Sequence, residues 1–89
     1  MLSKELLIKN KLGMHARAAA KFVNLASTFS SAIEVERGTR KVNGKSIMGV
    51  MMLAASKGSV ITLYTDGEDE NEAMQGLEAL VEHRFGEGE

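Results

Sequence analysis

A histidine and an arginine stand two residues apart in the segment "LGMHARAAAKFV", where the spacing of apolar residues predicts the start of a helix. The first turn of a helix has unpaired N–H groups and a positive partial charge, which favour the neutral form of an imidazole held there. A neutral imidazole can attack a phosphoryl group, and the same helix end stabilises the anion that forms. Arg17 can add a charge-assisted hydrogen bond to phosphate, and the backbone of Gly13, which lacks a Cβ atom, can let a partner approach closely. We therefore predict reversible phosphoryl transfer at His15.

Spacing alone leaves a structural alternative open, in which His15 only caps a helix and Arg17 is a solvated side chain. The other histidine, His83, lies near the end of the last predicted helix, where positive charge is favoured. A single histidine without further ligands makes a poor metal site. The sequence therefore predicts no metal site and no cofactor.

Ser46 is a second candidate, because it precedes a short apolar segment as a helix N-cap worth about 1 kcal/mol. Phosphorylation of Ser46 would place a dianion at a helix N-terminus, where negative charge is tolerated. One short helix cannot readily bury Met48, Met51 and Met52 together, so we expect at least one to be an exposed, adaptable contact. Core positions are expected for Val50 and Leu53.

Seven secondary-structure elements are needed to position these residues. Strands are predicted at 4–9, 32–37, 40–43 and 59–65 from their short apolar or alternating patterns. Helices are predicted from Ala16 to about Ser27, within 44–56 from the Ser46 N-cap to a turn at Lys57 and Gly58, and from the acidic stretch 66–72 to a stop at Gly86. The order β-α-β-β-α-β-α predicts an α+β fold, in which helices cover one face of an antiparallel sheet. Residues 1–89 suit a single domain.

Composition restricts the function classes further. The chain has no cysteine, which excludes disulfides and thiolate metal sites. Residues 1–50 carry nine Lys or Arg against three Asp or Glu, and residues 51–89 carry two against nine, so His15 lies in a basic half that can steer acidic partners. Residues 1–10 fit neither a signal peptide nor a membrane span, so we expect a cytoplasmic protein without membrane contact. The few aromatic residues argue against nucleic-acid binding.

Three segments together resemble one known family. "LGMHARAAAKFV" is similar to the active-site motif of the histidine-containing phosphocarrier (HPr) proteins of the bacterial phosphoenolpyruvate-dependent phosphotransferase system. "VNGKSIMGVMMLAASKGSVITL" resembles the regulatory-serine segment of that family, and "DGEDENEAMQGLEAL" resembles its final helix. The matches cover nearly the whole chain in the family's order and spacing.

The resemblance implies an open-faced β-sandwich, in which three helices cover one face of a four-stranded antiparallel sheet. It also implies that His15 accepts phosphate on Nδ1 from phosphorylated enzyme I and passes it to the IIA domains of sugar permeases, with Arg17 assisting. Such a protein is a phosphoryl carrier with a phosphohistidine intermediate rather than a stand-alone enzyme.

The resemblance further implies that Ser46 is, in some bacteria, the target of an HPr kinase/phosphorylase. The phosphoserine form then slows phosphorylation by enzyme I and acts as a corepressor with a transcriptional regulator. We expect a monomer whose partner-binding surface includes two residues of the first helix and three of the second: Ala16, Ala20, Ile47, Met48 and Met51.

Two alternatives and one departure from the family pattern remain at this point. The chain could be a nitrogen-branch phosphocarrier, or mainly a regulatory module that binds partners through phosphorylated Ser46 while His15 is idle. The family usually has proline directly after the arginine, where this chain has Ala18. Since proline in a first helical turn sacrifices only an unpaired N–H, we expect Ala18 to retain transfer with a small change in rate or stability.

Overall fold

The computed structural model describes residues 1–88, and its elements follow the predicted order. The strands are β1 (Leu2–Leu7), β2 (Ala32–Arg37), β3 (Arg40–Asn43) and β4 (Val60–Asp66). The helices are α1 (Ala16–Ala26), α2 (Ile47–Met52) and α3 (Glu70–Glu82), followed by a short 3-10 turn at Arg84–Gly86.

The four strands form one antiparallel sheet in the order β1-β4-β2-β3. Leu63 of β4 pairs with Val35 of β2, and Ile61 pairs with Leu6 of β1. These four side chains are buried, while their neighbours along β4 are more exposed, as expected when one face of a sheet carries the core. The predicted α+β fold, with a four-stranded antiparallel sheet and three helices, is confirmed.

The helices close the core over this face of the sheet. Phe22 in α1 and Leu77 in α3 are fully buried, and burial of a side chain of this size contributes about 1.5–3 kcal/mol. The remaining buried positions of α1 and α3 follow the helical period: Ala18, Ala19, Val23, Ala26, Ala73, Met74 and Val81. The apolar stripes predicted from the sequence therefore hold α1 and α3 against the sheet and fix the start of α1 in space.

The bounds of β1 and of the last helix differ most from the sequence prediction. β1 begins at Leu2 because Leu2 pairs with Thr65, so it is two residues earlier than predicted at each end. The last helix ends at Glu82 instead of continuing to Gly86. Arg84 and Phe85 have φ values of 56° and 55°, which turn the chain out of the helix before the glycine is reached. No helix among residues 1–88 has the length and apolar character of a transmembrane span.

Candidate functional site

His15 is the N-cap of α1, as its sequence position predicts. Its backbone is extended (φ −74°, ψ 179°), and its carbonyl accepts the first helical hydrogen bond from the Ala19 N–H at 2.8 Å. The ring nitrogen Nδ1 accepts a hydrogen bond from the backbone N–H of Arg17 at 3.3 Å. The side chain is 24% exposed. His15 therefore presents a partly accessible ring directly over the N–H groups of a helix start.

The loop before His15 is fixed by backbone contacts with the segment after α2. Gly13 has a left-handed φ of 67°, and the next residue, Met14, donates its N–H to the Ala55 carbonyl at 2.8 Å. A Cβ atom on Gly13 would lie 2.5 Å from the Ala55 carbonyl oxygen and 2.8 Å from the Cα of Ser56. The interpretation that Gly13 lets a partner approach is wrong, because Gly13 is buried and its lack of a side chain allows packing inside the chain.

The second ring nitrogen of His15 contacts a carboxylate that the sequence analysis missed. Nε2 forms a hydrogen bond with Oε2 of Glu87, which lies 72 residues later in the chain. The other carboxylate oxygen accepts a hydrogen bond from Nδ2 of the fully buried Asn10 at 2.9 Å. Burial alone would raise the pKa of Glu87, but the hydrogen bonds from Asn10 and His15 outweigh burial and hold this pKa below its usual value. Glu87 is therefore ionised at neutral pH.

No local pattern could have joined Glu87 to His15, because their contact depends on how the chain turns after α3. Asn10 had a weak signal, since an asparagine three residues before a glycine is typical of a turn. Its Nδ2 also donates to the Gly13 carbonyl at 2.7 Å, so Asn10 links the loop that holds His15 to the carboxylate beside its ring.

Arg17 is exposed, and among residues 1–88 its guanidinium makes no hydrogen bond or ion pair. It borders an open pocket of about 410 Å³, together with Lys11, Leu12, Lys21, Gly86 and Glu87. Three cationic side chains thus border a space next to the carboxylate that contacts His15. This arrangement leaves the Arg17 guanidinium available to an anion that arrives at the helix start.

Ser46 is the N-cap of α2, and its Oγ accepts a hydrogen bond from the Gly49 N–H at 3.1 Å. The predicted capping role is therefore confirmed. α2 packs against α1, so the Ser46 segment and the His15 helix belong to one side of the molecule.

The methionines of α2 are largely exposed, at 70% for Met48, 56% for Met52 and 39% for Met51. Val50 and Leu53 are buried, as expected. The exposed residues of α2 also include Ile47, while α1 contributes the exposed Ala16 and the half-buried Ala20. The structure leaves these positions accessible, and what binds to them stays a prediction.

Two further positions bear on the predictions. His83 is the exposed C-cap of α3, and within residues 1–88 no group of three His, Cys, Asp or Glu side chains is placed to hold a metal ion.

Ala18 is the third residue of α1, ahead of the first helical donor, Ala19. A proline at Ala18 would therefore remove no helical hydrogen bond.

Residues 2–83 match the family model described as "PTS HPr component phosphorylation site". The chain belongs to the HPr family. It is 58% identical over its full length to all of the phosphocarrier protein HPr of Cupriavidus necator, and 57% identical over its full length to all of HPr of Neisseria meningitidis. Its fold is similar to the crystal structure of HPr from Thermoanaerobacter tengcongensis, with a TM-score of 0.94, 53% identity and 98% of both chains covered.

Membership of this family establishes the general function. The chain is an HPr phosphocarrier of the phosphotransferase system, and its partners are enzyme I and the IIA components. The predicted cytoplasmic location follows from the family. The roles of particular residues do not follow from these similarities and require the geometry of the site.

Proposed function

We propose that His15 is the phosphoryl-carrying residue of this HPr protein. Its Nδ1 atom accepts the group from phosphorylated enzyme I and passes it to a IIA component of a sugar permease. The observation that carries this proposal is the position of the ring, which caps α1 with Nδ1 next to the Arg17 N–H and is still 24% exposed.

The contacts of the ring favour attack through Nδ1. A carboxylate can only accept hydrogen bonds, so Nε2 of His15 must hold the proton that it shares with Glu87. Nδ1 then carries no proton, and its electron pair accepts only the Arg17 N–H at 3.3 Å in the resting ring. On attack Nδ1 releases this N–H, and the electron pair forms the new N–P bond as the bond between phosphorus and the enzyme I donor breaks. The unpaired N–H groups at the start of α1 and the guanidinium of Arg17 stabilise the bound phosphate.

The partner-binding surface proposed here combines the exposed start of α1 with the exposed face of α2. Ala16 and Ala20 are small and leave the approach to His15 open, whereas Ile47, Met48 and Met51 supply apolar contact area. Methionine side chains adapt to different surfaces, which suits a carrier that must bind both enzyme I and IIA components in turn.

Regulation through Ser46 is the finer part of the proposal. A phosphate on Ser46 would take over the N-cap position, where the helix N–H groups favour negative charge, so α2 is expected to stay folded. The new dianion would lie beside the exposed Ile47 and Met48 and oppose binding of enzyme I at this surface. An HPr kinase/phosphorylase would add the phosphate, and a transcriptional regulator would bind the product.

The carrier role is tested by incubating the protein with phosphoenolpyruvate and enzyme I and measuring the intact mass. We expect a gain of one phosphoryl group in the wild type and in His83→Ala, and no gain in His15→Ala. Phosphorylation of His15→Ala to the wild-type extent would refute the assignment. Transfer from the phosphorylated protein to sugar-type or nitrogen-type IIA components then identifies the branch.

The regulatory role is tested with Ser46→Asp and with Ser3→Asp as a control. Ser3 is exposed on β1, at the opposite edge of the sheet from β3, the strand that α2 contacts. We expect Ser46→Asp to raise the KM for phosphorylation by enzyme I and Ser3→Asp to leave it unchanged. Equal behaviour of the two variants would remove the basis for regulation at Ser46. Light scattering of the purified protein tests the predicted monomer.

A further inference from the structure

The chain after α3 forms a C-terminal hook, residues 83–88, that returns to the start of α1. The left-handed backbone of Arg84 and Phe85 makes the turn, and the Phe85 side chain anchors it because it is only 1% exposed. Lys21 of α1 donates a hydrogen bond to the Phe85 carbonyl at 2.8 Å. A non-glycine residue in the left-handed region is uncommon, and two in succession show that tertiary contacts determine this conformation.

The hook delivers Glu87 to a defined position beside His15. The Glu87 side chain is only 12% exposed, and both of its oxygen atoms are engaged, one by Asn10 and one by Nε2 of His15. Asn10 is itself held by its hydrogen bond to the Gly13 carbonyl. Asn10 therefore holds the Glu87 carboxylate in a fixed orientation, and the carboxylate can hold the His15 ring in place.

Resting on the proposed role of His15 as the phosphoryl carrier, we propose that Glu87 is a positioning residue for phosphoryl transfer, which keeps the proton on Nε2 and the electron pair on Nδ1. When Nδ1 forms its bond to phosphorus, the ring gains positive charge, and the carboxylate on its opposite edge compensates that charge. Nε2 keeps its proton throughout. On transfer to a IIA component, the N–P bond breaks and its electron pair returns to Nδ1, which restores the neutral ring that Glu87 holds.

Glutamine at position 87 tests this proposal because it keeps the shape of the side chain and removes its charge. One end of the amide is a donor, so it cannot accept hydrogen bonds from both Asn10 and His15. Glu82→Gln is the matched control, since it makes the same change of charge at the end of α3 but contacts Lys9 and not His15. The three proteins are compared as full chains.

The first measurement is the kinetics of phosphorylation by enzyme I. We expect Glu87→Gln to lower kcat by roughly tenfold, the loss that corresponds to one hydrogen bond to a charged group, with little change in KM. The second measurement is the ¹⁵N NMR spectrum of the histidine ring at neutral pH. The neutral ring of the wild type and Glu82→Gln is expected to carry its proton on Nε2, whereas Glu87→Gln is expected to show a larger share of the Nδ1–H tautomer.

The outcomes separate this proposal from the carrier role itself. If the wild type is not phosphorylated at His15, the proposed function fails before Glu87 is considered. If the wild type is phosphorylated and Glu87→Gln has the same kcat and the same tautomer, Glu87 has no positioning role. An equal loss of kcat in Glu82→Gln, or a lower kcat in Glu87→Gln without any change in the tautomer, would also overturn the proposal.

Discussion

Replacing Gly13 by alanine tests whether backbone packing behind His15 sets the position of the ring. Gly13 has a φ of 67°, where an alanine costs about 1–2 kcal/mol. The added Cβ would also lie 2.5 Å from the Ala55 carbonyl oxygen and 2.8 Å from the Cα of Ser56. Backbone atoms cannot move aside like the end of a flexible side chain, so overpacking adds about 1–3 kcal/mol. The expected total is about 2–5 kcal/mol.

Gly38→Ala provides a matched control. Gly38 has nearly the same φ, 62°, but a Cβ there would meet nothing within 4 Å. Gly38→Ala should therefore lower the free energy of unfolding only through the left-handed backbone conformation. The two variants should differ by the overpacking contribution of about 1–3 kcal/mol. For a domain of this size, that difference corresponds to a melting temperature roughly 5–20 °C lower for Gly13→Ala.

Thermal unfolding followed by circular dichroism measures the difference, and phosphorylation by enzyme I well below the melting temperature measures the effect on the site. Because the Met14 N–H bonds the Ala55 carbonyl, a shift of this loop should displace His15 and slow phosphorylation in Gly13→Ala but not in Gly38→Ala. Equal melting temperatures for the two variants would show that the contact with Ala55 and Ser56 does not constrain the loop.

Four other changes have expected outcomes. Asp69 accepts hydrogen bonds from the Ser31 hydroxyl and from backbone N–H groups, which lower the pKa of its carboxyl from 3.8 to about 2. The ionised carboxylate therefore stabilises the folded protein above pH 3.8, and this contribution is lost as the pH falls towards 2. Urea unfolding across this range should show a larger loss in the wild type than in Asp69→Asn, and an equal loss in the two proteins would refute the assignment. Ser46→Ala should lower the free energy of unfolding by about 1 kcal/mol through loss of the N-cap, and no loss would show that the cap is dispensable. Met48→Ser should change that free energy by less than about 0.5 kcal/mol and raise the KM for enzyme I, whereas an unchanged KM would place Met48 outside the interface. Ala18→Pro should keep the free energy of unfolding within about 1 kcal/mol of the wild type in urea titrations, since no helical hydrogen bond is lost. A larger loss would mean that the buried position of Ala18 has no room for the proline ring.

Local signals were sufficient to predict the element order and the N-caps of the first two helices. The alternation in β2 and the 3.6-residue spacing in α1 follow directly from which faces must be buried. His15 and Ser46 could be predicted as caps because a cap is defined by its immediate neighbours in the chain. The exposure of Met48 and Met52 was also predictable, since a helix of six residues has too little buried face for them.

Contacts between distant segments were decided only by the tertiary structure. Position 13 requires a glycine because the backbone of Ala55 lies too close for a Cβ atom. The hydrogen-bond partner of Nε2 of His15 is Glu87, which lies beyond the predicted end of the last helix. The turn that brings Glu87 back depends on Phe85 finding a place in the core, which overrides the helical pattern before Gly86. The sequence by itself indicated which residue could carry a phosphoryl group. The fold decided that Nε2 of His15 meets the Glu87 carboxylate and that Nδ1 meets the Arg17 N–H, because hydrogen-bond partners depend on proximity in space.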